Sequence, residues 1–285
     1  MQRFLFLNNK DFFDKHNIYT VKNINDIPNC DSILFIGIHN NDACMELNKI
    51  TKYFPSIEKR AQYKYIILMG KGNGIINSNI HIPSNIKYIF CNYIPYYHDI
   101  IKFYPLGTDY RSKPFNHLSN ENNNNDILCY ANFSLKTHKD RKSIFNIIKN
   151  KTFITKENIQ NELNHTLDFN TFFKKLTSSR FVICPRGFNP DSWRFYDAIY
   201  SGAIPITVKE SFHNTFYFKN IPILFLNNIN EFNLLTPEFL EEKYEELKCL
   251  KSNYYKNLDF EVFMTRLKRL FLDEDTYENL FNNDS

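Results

Sequence analysis

Residues 180–208 read RFVICPRGFNPDSWRFYDAIYSGAIPITV, and the fold follows from this stretch. Phe181–Cys184 is short and apolar, as a buried strand is. Pro185-Arg186-Gly187-Phe188-Asn189 makes a turn. The pattern then predicts a helix from Pro190 with Asn189 as its N-cap, because proline at the first helical position gives up no hydrogen bond. Gly202 ends that helix, and Ile204–Val208 is predicted as the next strand. A strand, an arginine-bearing loop and a helix start, in that order, suit an anionic group, since the first helical amides lack intrahelical acceptors.

The same alternation extends outward. Ile127–Phe133 reads as a strand and Lys139–Lys149 as a helix with Ile144, Ile147 and Ile148 at helical spacing. Asp168–Ser178 is an amphipathic helix capped by Asp168, and it leads into the Phe181 strand. Ile223–Leu226 is the last predicted strand. Thr236 and Pro237 open a helix continued by Leu240, Tyr244 and Leu247, and Phe260–Leu272 is a final amphipathic helix. In the first half, Arg3–Leu7, Ile18–Val21, Ser32–Ile38, Tyr65–Met69 and Lys87–Phe90 are predicted strands, with a helix over Ala43–Phe54. Between the halves, Glu121–Asp126 has no apolar periodicity and reads as a linker or exposed loop. Strands alternating with helices imply an α/β protein with two Rossmann-like parallel-sheet domains facing a cleft. The expected bounds are a first domain over 1–118, a linker over 119–126, a second domain over 127–247 and C-terminal helices over 248–285.

At 285 residues, 43% hydrophobic and 23% charged, the chain has room for two globular domains and is not disordered. Its net charge of +4 suits a protein that handles phosphates and is too diffuse for a nucleic-acid footprint. No apolar run approaches the length of about eighteen residues that a membrane span needs. The apolar part of the first nine residues is too short for a secretory signal. A soluble, cytoplasmic protein is therefore expected. The six cysteines lie far apart with no Cys-x-x-Cys pair, which predicts reduced thiols and no zinc.

In a helix from Pro190, Asp191, Arg194 and Asp197 share one face. Arg194 lies one turn in, and Arg186 lies in the preceding loop. Two guanidiniums beside exposed helix amides can hold a pyrophosphate in bidentate fashion. Ser192 can add its hydroxyl and N–H, and Asp197 is placed for ribose hydroxyls. The alternative for these charges is an ion-pair ladder of Arg194 with Asp191 and Asp197 on a solvated face.

Three segments, Cys184-Pro185-Arg186-Gly187, Ser192-x-Arg194-Phe195-x-Asp197-Ala198 and Ser201-Gly202-Ala203-Ile204-Pro205-Ile206, resemble the signature of exostosin-like glycosyltransferases. Upstream, Leu128–Ser134 followed by Thr137 and Arg141 is similar to the opening of the donor domain in that family. Downstream, Ile221–Leu224 and Leu235–Leu240 resemble its closing strand and helix. The likeness covers about residues 127–247, and the compact, Asn-rich chain is similar to short viral, xylosyltransferase-like members. The resemblance implies a GT-B fold with the nucleotide sugar, UDP-linked by that resemblance, on the second domain. It implies inverting transfer to a glycan hydroxyl without a metal or other cofactor. Arg141, Arg186 and Arg194 would neutralise the diphosphate, helped by Asn132, Ser134, Gly187 and Ser192. Asp197 would take a ribose role that the family usually gives to Glu, one methylene longer.

Such transfer needs positive charge on the leaving group and a base for the acceptor hydroxyl. His39, at the end of the Ser32–Ile38 strand, is the first candidate base. Asp42, which also suits a helix N-cap, and Asp109, just before the linker, are the others. Asp273-Glu274-Asp275 reads as a solvated tail and not a metal site. Gly70-Lys71-Gly72-Asn73-Gly74 lacks the Walker spacing and reads as a flexible turn. Three alternatives remain at this stage. One is a fucosyltransferase-like enzyme using a GDP-sugar, and another is a non-catalytic nucleotide- or carbohydrate-binding module. The third is an oxidoreductase built on Gly70–Gly74.

Overall fold

The computed structural model describes residues 82–91, 99–103, 126–159, 167–187, 191–214 and 220–252. It also describes strand residues 19–20, 34–37 and 65–69 and the single positions 218, 266, 269 and 270. Among these, two five-stranded sheets form, each from its own half of the chain. Both are wholly parallel, which is the α/β two-sheet organisation of the GT-B type.

The first sheet runs β1 (Tyr19–Thr20), β2 (Leu34–Gly37), β3 (Tyr65–Met69), β4 (Tyr88–Cys91) and β5 (Ile101–Phe103), in sequence order. Ile89, Phe90, Ile101 and Phe103 are buried. β5 is not among the predicted strands, because three residues with a central lysine give no pattern to read. Arg3–Leu7, the Ala43–Phe54 helix and most of Phe260–Leu272 lie outside the described residues.

The second sheet carries the site. Its elements are β6 (Ile127–Ala131), α1 (Lys139–Ile148), β7 (Ile154–Lys156), α2 (Phe169–Thr177), β8 (Ser179–Ile183), α3 (Trp193–Tyr200), β9 (Ile204–Val208), β10 (Leu224–Leu226) and α4 (Pro237–Lys248). Strand order is β10-β9-β8-β6-β7. The chain moves from β6 to β7 on one side, then returns past β6 to lay β8, β9 and β10 on the other. That reversal falls between β6 and β8, which pair directly through Cys129↔Phe181 and Ala131↔Ile183. A reversal of this kind splits the loops after the two strands and opens a crevice at their C-terminal ends.

Side chains alternate across the strands with period two. Cys129, Ala131, Phe181, Ile183, Ile204 and Ile206 face one side and pack with Ile144 and Ile148 of α1 and Leu240 of α4. Tyr130 and Val182 face the other side, towards α2 and α3, and are fully buried. Burying each aliphatic or aromatic side chain contributes roughly 1.5–3 kcal/mol.

The helix ends follow local chemistry. Asp168 accepts from Thr171 N at 3.0 Å and Thr236 accepts from Phe239 N at 3.2 Å, as N-caps do. Gly202 takes φ 83°, and Ala203 N bonds Ala198 O while Gly202 N bonds Ile199 O. This pair of bonds closes α3 and needs the left-handed backbone that glycine adopts freely.

One boundary is corrected. α3 begins at Trp193, with Ser192 as the residue before it, and not at Pro190. Ser192 keeps extended backbone angles (φ −81°, ψ 155°). Asp191 is therefore no part of a helical face. It is fully buried and accepts from Tyr196 Oη at 2.9 Å.

The two sheets meet at aromatic rings. Phe103 of β5 lies 5.1 Å from Phe218, which in turn packs 5.9 Å from Phe195 of α3.

Candidate active site

The loop after β6 (Asn132–Thr137), the loop after β8 (Cys184–Gly187) and the start of α3 come together at the reversal between β6 and β8. Arg141, in the first turn of α1, ties them. Its Nε donates to Arg186 O at 2.7 Å, Nη1 to Ser134 O at 3.0 Å and Nη2 to Pro185 O at 3.1 Å. Arginine reaches three carbonyls at once because its guanidinium is a flat fork. Arg141 is only 7% exposed, and burial, then the nearby Arg194 charge, lowers its pKa to about 10. It stays charged at neutral pH. Three of its five N–H donors thus go to main chain and hold the loops.

Arg186 is half-buried and its Nη1 lies 3.0 Å from Glu210 Oε1, just past β9. Its Nε is buried with no hydrogen-bond partner. Arg194, on the first turn of α3, gives Nε to Asn132 O at 3.0 Å and Nη2 to Asn132 Oδ1 at 3.3 Å. Asp197 stands one turn further on, with Oδ2 3.9 Å from Arg194 Nη1. The Arg194 guanidinium carbon stacks 4.1 Å from the Phe172 ring centre on α2. Asn132 is buried, its amide nitrogen donates to Tyr130 Oη, and both its oxygens accept from Arg194.

Other polar groups at this edge keep capacity for a ligand. Ser192 Oγ makes no capping bond and is buried without a partner, as is Thr137 Oγ1. Ser134 Oγ accepts from Lys136 N at 3.2 Å. Gly187 is buried between Arg186 and the turn. His138 caps α1, and burial moves its pKa down, with Arg186, Lys139 and Arg141 adding to that and Asp140 opposing it. The Cys184 thiol lies beneath the loop with its pKa raised by burial. Cys129 and Cys184 are free and buried, whereas Cys249 is free and exposed. No group of three His, Cys, Asp or Glu side chains comes together among the described residues.

Buried donors without partners beside clustered guanidiniums are an arrangement that can hold an anion. Residues 110–248 match the family model of the RXYLT1 C-terminal domain. This segment is similar to an exostosin-like glycosyltransferase domain. No curated protein matches the chain by sequence. Among solved structures, an α1,3-fucosyltransferase is similar at 13% identity with a TM-score of 0.48, covering 93% of this chain and 83% of that one. An α1,3-fucosyltransferase with GDP-fucose is similar at 12% identity with a TM-score of 0.47, covering 90% and 81%.

This edge is also built from residues that the sequence pattern does not single out. Glu210 holds Arg186, Phe172 backs Arg194, and Tyr130 with Glu157 supports Asn132. One signal was available. Tyr130 is the lone hydroxyl in the apolar strand ILCYA, and a buried hydroxyl needs a partner. His39, Asp42, Asp109 and the Gly70–Gly74 turn lie outside the described residues. No helix among the described residues is long and apolar enough to cross a membrane.

Proposed function

We propose that this chain is a nucleotide-sugar glycosyltransferase that moves a sugar from a UDP-linked donor to a glycan hydroxyl, with inversion and without a metal ion. The supporting observation is the placement of Arg186 and Arg194 at the start of α3, where Arg186 Nε and Ser192 Oγ are buried without partners. The diphosphate lies against these groups and the first amides of α3. Asp197 accepts from the ribose hydroxyls. In the reaction the bond from the anomeric carbon to the β-phosphate oxygen breaks, and its electron pair leaves with the diphosphate. The guanidiniums meet that growing charge in place, so little reorganisation is needed. The acceptor oxygen attacks the opposite face of the sugar and its proton passes to a base, for which His39 is the first candidate and Asp42 and Asp109 are the others.

Titration calorimetry with UDP tests the donor site. Arg194→Ala loses roughly a hundredfold in affinity, the scale of a charge-assisted bidentate contact. Near-normal affinity in a folded variant refutes the assignment. Hydrolysis of UDP-sugar without acceptor separates a working transferase from a binding module, and retention of that hydrolysis in EDTA supports metal independence.

A further inference from the structure

We propose that Glu157, Tyr130 and Asn132 form a positioning relay that aims Arg194 at the leaving diphosphate. The inference rests on the donor-site reading above and assigns roles to two residues outside it. The chain of bonds is continuous. Tyr130 Oη donates to Glu157 Oε2 at 3.1 Å, and Asn132 Nδ2 donates to Tyr130 Oη at 3.0 Å. Arg194 Nη2 donates to Asn132 Oδ1 at 3.3 Å, and Arg194 Nε to Asn132 O at 3.0 Å. Lys175 Nζ lies 3.2 Å from Glu157 Oε1, and Glu157 N bonds Ala131 O at 3.0 Å. The relay therefore starts from a carboxylate fixed by both its charge and its backbone.

The polarity of the chain is forced. Arginine can only donate, so the Asn132 amide atom facing it is the oxygen. That leaves the Asn132 amide nitrogen for Tyr130, whose oxygen accepts it and passes its own hydrogen to Glu157. Tyr130 is fully buried, and burial raises its pKa, so the hydroxyl keeps the proton that the chain needs. Without that hydroxyl the amide is free to turn. Its nitrogen would then face Arg194, donor against donor, and the guanidinium would lose one of its two fixed acceptors. A buried network of this kind is worth most when every member is satisfied. Tyr130 and Glu157 touch no substrate in this scheme; they act through Asn132 and Arg194.

The test is UDP affinity by titration calorimetry, with thermal unfolding measured alongside. Tyr130→Phe and Glu157→Ala each weaken UDP binding by about five- to tenfold, the scale of one hydrogen bond to a charged group. Glu157→Gln restores affinity to within about twofold of the parent, because its amide oxygen still accepts the Tyr130 proton. In turnover the loss falls on donor KM and kcat, and acceptor KM holds. Ser179→Ala is the control for mere structure. It deletes a buried hydroxyl that bonds Lys175 O at 2.5 Å, so it lowers the unfolding temperature and leaves UDP affinity unchanged. If Tyr130→Phe fails to fold, the Glu157→Ala and Glu157→Gln pair decides. Parent-like affinity in Tyr130→Phe or Glu157→Ala, with Arg194→Ala impaired, overturns the relay alone. Parent-like affinity in Arg194→Ala overturns the donor site and the relay together.

Discussion

Mild acid is expected to destabilise this protein through His213, and the size of the effect can be worked out. His213 lies in the 3-10 turn Ser211–Asn214, 5% exposed, with its ring 4.8 Å from Phe225, 4.9 Å from Phe218 and 6.1 Å from Phe195. Its Nδ1 accepts from Glu210 N at 2.9 Å. Burial in this apolar ring cluster lowers its pKa from 6.5 to about 3, opposed by the Glu210 bond and helped slightly by Lys209. The sign is as follows. Below pH 6.5 the unfolded chain takes a proton at His213 and the folded chain does not, so stability falls as pH falls until the folded pKa is reached. At about 1.36 kcal/mol per pKa unit, moving from pH 7.5 to 4.5 removes roughly 2.7 kcal/mol through this group alone. The assay is urea unfolding at both pH values for the parent and for His213→Asn. The Asn oxygen stands in for Nδ1 towards Glu210 N but cannot titrate. All other titrating groups are shared, so the difference of differences isolates His213. His213→Asn is less stable at pH 7.5, because it leaves a cavity, yet it loses about 2.7 kcal/mol less on acidification. An equal acid loss in both chains refutes the buried neutral histidine.

Three further outcomes are expected. Arg141→Lys puts one ammonium where a fork held three carbonyls, and the orphaned acceptors cost about 2–4 kcal/mol in urea unfolding, together with weaker UDP binding; a loss under about 1 kcal/mol would show that the loops hold themselves. Gly202→Ala forces a Cβ into the left-handed region at φ 83° and costs about 1–2 kcal/mol without moving UDP affinity; no measurable cost in urea unfolding would count against that backbone assignment. His39→Ala keeps UDP affinity and loses turnover with acceptor present, and unchanged turnover would move the base to Asp109 or Asp42.

What could be read from the sequence depended on how strongly each segment is punctuated. β9 has the predicted bounds because Gly202 precedes it and five apolar or β-branched residues fill it. β5 and β7 escaped because Ile101–Phe103 and Ile154–Lys156 are three residues each, with lysines inside, and gain their place from pairing with β4 and β6. Asn189-Pro190 looks like a helix start by local rules. In the structure Asp191 accepts from Tyr196, five residues on, Ser192 stays extended, and α3 starts at Trp193. The site divides along the same line. Sequence locates Arg186, Arg194 and Ser192 at one edge, because a loop and a helix start are local features. It does not show where an arginine's donors go. Arg141 and Asn132 have the right residue type and chain position, and only the geometry shows Arg141 bonded to loop carbonyls and Asn132 to Arg194.

That division explains how a site can collect arginines without collapsing on its own carboxylates. The Arg141 charge meets three carbonyl dipoles under the loops. Arg194 lowers the Arg141 pKa, so the two cations feel each other. Glu210 meets Arg186 at 3.0 Å, while Asp197 is 3.9 Å from Arg194, beyond a hydrogen bond. The guanidiniums are kept in place by packing: the Phe172 ring behind Arg194, Asn132 beside it, and the Arg141 fork beneath the loops. On the proposed donor reading, a diphosphate bound at this edge would gain charge as the sugar departs. Guanidiniums already fixed in place would meet that added charge more strongly in the transition state than in the bound donor, which is the condition for rate and not merely affinity.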